Sequence, residues 1–322
     1  MKCKNAIDGM AQLHGSGIVR RNRLDFCYPA GRSEVRSGGR IRRKMWRTEL
    51  VVLFGLLAAV AGSSQQAKKT DVELLGLKGS VQTCLSEFTR LQYTDRGEVE
   101  INRHRDRLWV FDRKGNLIEQ QEYRATDGSL NYRVVFACEV EGRRSGSAKY
   151  DSSGLLVEKS AYVYDPKGEL TEVTVHGTDG SLKEKEHYVY DDRGNQTESF
   201  SFDADGPMNS KSVYDGKGNV IEMLGYKPDG SLIARYVFAY NDKGNQKEWI
   251  QYEADGSCTA KVVYASDVSG NWIKDLYYNS DGSIFDEASR SYIFDSTGNW
   301  TKTIVRRRST AYVEYRTFRY FP

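Results

Sequence analysis

The chain has 322 residues, of which 47 are Lys or Arg, 44 are Asp or Glu, and 12% are aromatic. The first 66 residues hold 12 of the basic and 4 of the acidic residues, so the remainder has 35 basic and 40 acidic residues and a net charge of −5. An acidic body lacks the broad basic surface that phosphate backbones require, so we expect no nucleic-acid partner.

The N-terminal region predicts export. Residues 1–44 are basic and patternless, and we expect them to be a non-native or unstructured leader. Residues 45–61 combine Arg47, a 12-residue apolar run and the small residues Ala59-Val60-Ala61, which is typical of a secretory signal peptide. Because twelve apolar residues are too few to span a bilayer, we expect no stable membrane span after signal cleavage and a secreted, periplasmic or cell-surface location. The alternative is a short membrane anchor that follows a cytoplasmic tail.

Residues 62–107 are expected to form N-terminal strands, and residues 108–322 a repeat domain. In the repeat domain, turn-like glycines recur every 12 to 14 residues and two turn types alternate. The first type reads aromatic-Asp/Asn-x-x-Gly-Asn, as at 190–195, and the second is Asp-Gly, usually followed by Ser. Glycines of one type lie about 26 residues apart, so the unit is one hairpin repeated about seven times. Pro166 and Pro228 each lie two residues before such a glycine, which indicates turns that end in a left-handed glycine.

Runs of 7 to 10 residues between the turns alternate in polarity, as half-buried strands do. The pattern predicts an all-β fold, an antiparallel meander of roughly 16 strands with its aromatic side chains on one face. A flat sheet would leave that face wet, at a cost of roughly 1.5–3 kcal/mol for each large side chain. We therefore expect the repeated hairpins to form a curled sheet or partial shell.

The first-type turns carry a resemblance to a known group. The tracts at 190–195, 214–219 and 240–245, alternating with Asp-Gly-Ser turns, resemble the YD repeats of the Rhs and teneurin group of surface and secreted proteins. That resemblance implies a shell of spiralling strands, sometimes around a C-terminal toxin domain, and binding of partners or glycans in some members. Here the repeat is longer than the usual YD unit, and the chain ends a few residues after its last repeat, so no toxin domain is expected.

Chemical motifs are sparse. Cys84, Cys138 and Cys258 are widely separated, and no histidine lies at metal-ligand spacing, so we expect neither a metal nor another cofactor. Cys138 and Cys258 fall at strand positions, whereas one disulfide involving Cys84 stays possible in an oxidising compartment. The Asp residues precede turn glycines, where they cap the local backbone. No nucleophile or phosphate-binding motif occurs, and we expect no enzymatic activity.

A charge pattern accompanies the repeats. Glutamates follow the first-type glycines by four residues, and basic residues follow the second-type glycines by five, as in Glu248 and Lys261. In the last unit both signs are exchanged, to Lys274 and Glu287, which indicates that the two rows interact across strands. Their register stays open at this point. The basic run Arg306-Arg307-Arg308 is expected at a solvated strand edge.

These features predict a non-catalytic protein with a structural or binding role, whose partner is a cell-wall glycan or a surface protein. Aromatic residues near the ends of the later strands are the candidate binding residues, although they also suit the interior of the sheet: Trp249, Tyr252, Trp272, Tyr277, Tyr278 and Trp300. Trp272 and Trp300 directly follow Gly-Asn turns, so these two are expected to be the more exposed.

Two alternatives remain. One is an outer-membrane β-barrel, against which Glu184, Glu186 and Glu198 interrupt the expected apolar face and both sets of turns are short. The other is a polysaccharide-active enzyme, which would need a pair of suitably spaced carboxylates.

Overall fold

The computed structural model describes residues 69–138, 143–203 and 206–322. The expected leader, the signal peptide and residues 62–68 lie outside the described residues, as does the Glu141-Gly142 pair, where the glycine spacing predicts a further turn. One short helix precedes the strands, α1 (Asp71–Leu74). Thr70 caps α1, accepting a hydrogen bond from the Glu73 amide while the Glu73 carboxylate accepts one from the amide of Thr70.

All other described elements are strands. They are β1 (Val81–Thr94), β2 (Gly97–Phe111), β3 (Leu117–Tyr123), β4 (Leu130–Cys138), β5 (Arg144–Asp151), β6 (Leu156–Tyr164), β7 (Leu170–Gly177), β8 (Leu182–Tyr190), β9 (Gln196–Asp203), β10 (Gly206–Tyr214), β11 (Val220–Tyr226), β12 (Leu232–Tyr240), β13 (Gln246–Glu253), β14 (Cys258–Ser266), β15 (Trp272–Tyr278), β16 (Ile284–Phe294), β17 (Trp300–Arg307) and β18 (Ala311–Tyr320).

Each strand is hydrogen-bonded to the next in sequence, and β1 pairs with both β2 and β18. The all-β antiparallel meander is therefore confirmed, whereas the expected curled sheet or partial shell of roughly 16 strands is wrong, because the strand order closes into an 18-stranded barrel. The closing strand β1 precedes the repeats, and its pairing with β18 joins Leu85 to Thr317. Closure pairs the edge N–H and C=O groups that an open meander leaves unpaired.

The chain divides into two compact units. Unit 1 contains Tyr164–Glu172 and Glu184–Glu287, and unit 2 contains the described residues of Ala67–Val163, Val173–Lys183 and Ala288–Pro322.

The turns have the geometry that the glycine pattern predicts. Gly194, Gly218 and Gly244 have φ of +77°, +81° and +79°. In the turn at 191–195, the Gly194 amide donates to the Asp191 carbonyl at 3.0 Å, and the Asp191 amide donates to the Asn195 carbonyl at 2.9 Å. The Asp191 carboxylate also accepts the Asn195 amide at 2.8 Å, which is the capping role expected of these aspartates.

The strands of unit 1 have a buried face and an exposed face that alternate along each strand. On β12, Ala234, Tyr236 and Phe238 are buried, whereas Arg235 is exposed. The buried face is largely aromatic, and the rings of Tyr264 and Trp272 stack with their centroids 4.7 Å apart. Burial of each such ring stabilises the unit by roughly 1.5–3 kcal/mol, so the aromatic face is a packed core.

In unit 2 the N-terminal segment packs against two turns. The Val72 amide donates to the Gly115 carbonyl at 3.1 Å, and the Leu117 amide donates to the Asp71 carboxylate at 2.8 Å. Further along, the Lys78 amide donates to the Asn299 side chain at 2.8 Å. The segment that precedes β1 is thereby fixed to the first and last of the Gly-Asn turns.

Candidate functional site

Four of the predicted binding residues lie in the interior. Trp249, Trp272, Tyr277 and Trp300 are between 3% and 7% exposed. The expectation that Trp272 and Trp300 are the more exposed is therefore wrong. Each is the first residue after a turn, where the strand pairing shifts register, as between Ile293 and Phe294 opposite Trp300.

That register shift directs the side chain of the first strand residue to the buried face. The residues at the same position of other repeats are also buried, namely Leu117, Gln196, Val220 and Gln246. Trp272 and Trp300 are larger than the residues at this position in the other repeats, and their side chains fill the interior.

Tyr252 and Tyr278 lie on the exposed face of unit 1 and are half-buried. Tyr252 is opposite Arg235, whose guanidinium lies 5.5 Å from the ring centroid. Tyr278 is opposite Lys261, whose ammonium lies 5.7 Å from the ring centroid. The structure thus gives two of the six predicted residues a basic neighbour on the exposed face.

The same basic residues are paired with glutamates of the preceding strand. Lys261 is 2.8 Å from Glu248, and Arg235 pairs with Glu222. The hydrogen bond to Glu248 raises the pKa of Lys261, so the ammonium stays charged at neutral pH. Lys261 lies directly opposite Ile250 and Glu248 opposite Val263, which shows that the ion pairs are diagonal.

We call the resulting surface the tyrosine strip and define it by Glu222, Arg235, Tyr252, Glu248, Lys261 and Tyr278. Its two clusters repeat every second strand, which at the usual strand spacing is about 9.5 Å. Each cluster offers an aromatic face and a charge-neutral pair of hydrogen-bonding groups. Such a surface suits a polymer with apolar faces and hydroxyl groups better than a strongly charged ligand.

An apolar patch adjoins the strip on neighbouring strands of unit 1. Phe200 and Phe202 of β9 and Val213 of β10 are 39%, 48% and 42% exposed. Phe202 is opposite Lys185, which pairs with Glu172 at 2.9 Å. The cluster of glutamate, basic residue and aromatic ring therefore recurs here with phenylalanine in place of tyrosine.

A cavity of about 280 Å³ opens between two turns of unit 1. Its wall includes Asp165, Glu169, His187, Tyr190 and Asp191. The first of these turns ends in Glu169, where other first-type turns have asparagine, so the cavity coincides with an irregular repeat. The irregular turn is visible in the sequence at Glu169, but nothing in the sequence indicates a cavity.

A buried carboxyl group, that of Glu186, lies on β8 next to His187. Burial raises the pKa of Glu186 to about 7, although the hydrogen bond from Tyr188 opposes the increase, and the charges of Glu184 and Asp203 add to it. Among the described residues, no group of three or more His, Cys, Asp or Glu side chains is arranged to hold a metal ion. Cys84 is buried, Cys138 and Cys258 are half-buried, and no disulfide joins these three to one another.

No helix in the described part of the chain is both long and apolar enough to cross a membrane. No family model matches the chain, and no curated protein matches it. The resemblance to YD-repeat proteins therefore depends on the turn motifs alone.

Several solved structures have a similar arrangement at low scores. A porin-like protein from Bacteroides uniformis has 9% identity and a TM-score of 0.39, over 75% of this chain and 99% of that chain. A porin-like protein from Bacteroides vulgatus has 12% identity and a TM-score of 0.33, over 54% and 93%. The Tc holotoxin pore of Photorhabdus luminescens has 12% identity and a TM-score of 0.19, over 69% of this chain and 17% of that one. With all three TM-scores below 0.5, none of these similarities supports an argument about function.

Proposed function

We propose that the chain is a non-catalytic β-barrel of the cell envelope that binds an extended glycan along the tyrosine strip of unit 1. The observation that carries the proposal is the repeated cluster of Glu222, Arg235 and Tyr252, and of Glu248, Lys261 and Tyr278 two strands later. A polymer with a regular repeat can contact successive clusters at once, and effective concentration then strengthens individually weak contacts.

Location at the cell envelope is supported by the signal-peptide pattern at 45–61, which lies outside the described residues. The sequence contains no recognisable catalytic motif, which favours a binding role over catalysis.

The test is binding of the exported protein to cellulose, chitin and peptidoglycan, measured by retention on the insoluble polymer. We expect retention on at least one of them, and about tenfold weaker binding for the Tyr252→Ala, Tyr278→Ala double variant, equivalent to about 1.4 kcal/mol. Tyr93→Ala is the matched control, because Tyr93 is 65% exposed and belongs to unit 2. Equal retention of the wild type and the double variant would refute the proposal.

A second candidate is an outer-membrane β-barrel, and the closed order of an even number of strands favours it. Contrary to the expectation from the sequence, Glu186 is buried and does not interrupt the exposed face. Glu198 does lie on that face, where it pairs with Lys211 at 2.9 Å. At the bilayer midplane each basic residue costs about 2–4 kcal/mol, so the row of ion pairs argues against lipid contact on unit 1.

Fractionation distinguishes the two candidates. A surface protein that binds a glycan should be released from membranes by alkaline carbonate or by competing oligosaccharide. A barrel embedded in lipid should stay with the membrane under both treatments and appear in solution only with detergent.

A further inference from the structure

The hairpin of β1 and β2 extends beyond its neighbour in the sheet. β1 and β2 are 14 and 15 residues long, and their pairing continues to Thr94 opposite Gly97. The pairing of β1 with β18 stops earlier, at Leu91 opposite Ala311. Residues 92–99 therefore project past β18, and we call residues 90–103 the arm.

The arm lies back across the exposed side of β17 and β18. The Arg306 guanidinium contacts the Glu98 carboxylate through two hydrogen bonds, of 3.1 and 2.7 Å. In the sheet, β1 and β18 separate β2 from β17, which corresponds to about 14 Å at the usual strand spacing. Direct contact across that separation requires the arm to bend over the intervening strands.

The bend has a local cause. Among the described residues other than glycine, only Asn102 has positive φ, at +57°. Asparagine tolerates this conformation better than most residues. The pairing of β1 with β2 shifts register between Phe88 and Arg90, on the strand opposite Asn102, and such a bulge increases the local twist.

Beneath the arm is a basic and aromatic surface formed by Lys302, Arg306 and Tyr315. The Lys302 ammonium lies 3.3 Å from the Glu100 carboxylate, which also accepts a hydrogen bond from the Tyr315 hydroxyl. The Arg103 guanidinium lies 3.9 Å over the Tyr315 ring and 2.7 Å from Glu87. The expectation of a strand edge at Arg306 is wrong, because β17 pairs with both β16 and β18, although the Arg306 side chain is still 40% exposed.

We propose that Lys302, Arg306 and Tyr315 form a binding site for an extended acidic peptide segment of a partner protein, and that the arm occupies this site in the free chain. We infer an acidic peptide because the site already binds the carboxylates of Glu98 and Glu100. Glu98 and Glu100 are two residues apart on an extended strand, so their carboxylates project on the same side. An arginine fork matches one carboxylate with two parallel hydrogen bonds, which favours carboxylate groups over an uncharged chain.

The arm is suited to being displaced. The Glu98 and Arg306 side chains are 31% and 40% exposed, and exposed ion pairs of this kind contribute little stability. A partner segment that presents alternate carboxylates makes the same contacts and leaves the arm in solvent. This inference depends on unit 2 alone and is independent of the glycan proposal for unit 1.

The test uses a labelled peptide with the sequence of residues 97–103, GEVEINR, and a matched peptide with both glutamates replaced by glutamine. We expect the Glu98→Gln, Glu100→Gln double variant of the full chain to bind the acidic peptide about tenfold more tightly than the wild type does. Neither protein should bind the glutamine peptide. Adding Arg306→Gln to the double variant should remove the gain.

Absence of peptide binding by the double variant, equal binding of both peptides, or preferential binding of polygalacturonate would each overturn the proposal. Thermal unfolding shows whether the double variant is folded. If it is not, hydrogen exchange of the wild type replaces the comparison. Saturating acidic peptide should then accelerate exchange at Leu91 to Ile101, and unchanged exchange would overturn the proposal.

Discussion

The Lys274 ammonium lies 3.3 Å from the Glu287 carboxylate, with the acidic and basic positions exchanged relative to Glu248 and Lys261, which are 2.8 Å apart. Lys274 stands where other repeats have glutamate, and Glu287 stands where they have a basic residue. Because both signs are exchanged, the pair across β15 and β16 stays attractive. The sequence prediction that the two rows interact is confirmed, and the diagonal register follows from the bulge beside each turn.

This pair provides a charge-reversal test. Lys274→Glu and Glu287→Lys should each destabilise unit 1 by about 0.5–1 kcal/mol, because each places like charges side by side. The double variant should return to within about 0.3 kcal/mol of the wild type in urea unfolding. Lys217→Glu, in an exposed turn, is the control and should have little effect. Additive losses in the double variant would show that the pair does not interact in solution.

Gly218 and Gly216 lie in the same turn, and substitutions at the two positions should affect stability differently. Gly218 has φ of +81°, so Gly218→Val should lower the free energy of unfolding by roughly 1–2 kcal/mol or more. Gly216→Ala should cost nothing or stabilise slightly, because an added Cβ meets no atom within 4 Å and its φ is not in the left-handed region. Denaturant unfolding measures both, and similar losses at the two positions would contradict the turn assignment.

The same reasoning applies to Asp242 in the next first-type turn. There Asn241 is the capping residue, since its side chain accepts the amides of Lys243 and Asn245 at 3.1 and 2.9 Å. Asp242→Ala should therefore cost less than Gly218→Val, and a larger loss in the same unfolding assay would show that Asp242 has a further role.

The raised pKa of Glu186 predicts pH-dependent stability. Its pKa is about 7 in the folded chain, above the ordinary value of 4.5, so the folded state binds the proton more tightly. The contribution of Glu186 is fully present below about pH 4.5 and is lost as the pH rises through 7.

The measurement compares the wild type with Glu186→Gln across this range. The variant should be more stable than the wild type at pH 8, by roughly 1–3 kcal/mol, and this advantage should shrink toward pH 5. Glu253→Gln, which replaces an exposed glutamate of the same unit, is the control for the substitution itself. A constant difference between Glu186→Gln and wild type over the range would rule out titration of Glu186.

The features that could be predicted from the sequence are those set by residues within one hairpin. They include the turn positions, such as Gly194, the strands, and the rows of ion pairs, such as Lys274 with Glu287. Closure depends on β1, which lies outside the repeat and pairs with β18 more than 200 residues later. The face of Trp272 depends on a one-residue register shift, which reverses the direction of a side chain without changing the polarity pattern.

The same distinction between local and long-range contacts applies to the two candidate sites. Tyr252 and Tyr278 could be identified because their spacing follows the repeat. The arm could not be predicted, because its contacts join Glu98 to Arg306 across 208 positions and depend on a bend at a single asparagine.

Asn299 provides the test of how unit 2 holds its N-terminal segment. Its side chain accepts the Lys78 amide at 2.8 Å, and its amide group donates to the Lys78 carbonyl at 2.8 Å and to the Tyr320 hydroxyl at 2.9 Å. Asn219, at the same position of another turn, donates its side-chain amide to Asp215 within its own hairpin.

Asn299→Ala should therefore destabilise unit 2 by roughly 2–3 kcal/mol, because it removes two part-buried hydrogen bonds to the Lys78 backbone and one to the Tyr320 hydroxyl. Asn219→Ala should cost about 1 kcal/mol, since only a local turn contact is lost. Hydrogen exchange at Lys78 separates the two, because it should become fast in Asn299→Ala and stay slow in Asn219→Ala. Slow exchange in both variants would mean that the segment is held by α1 and its contacts at Gly115 and Leu117 rather than by the last turn.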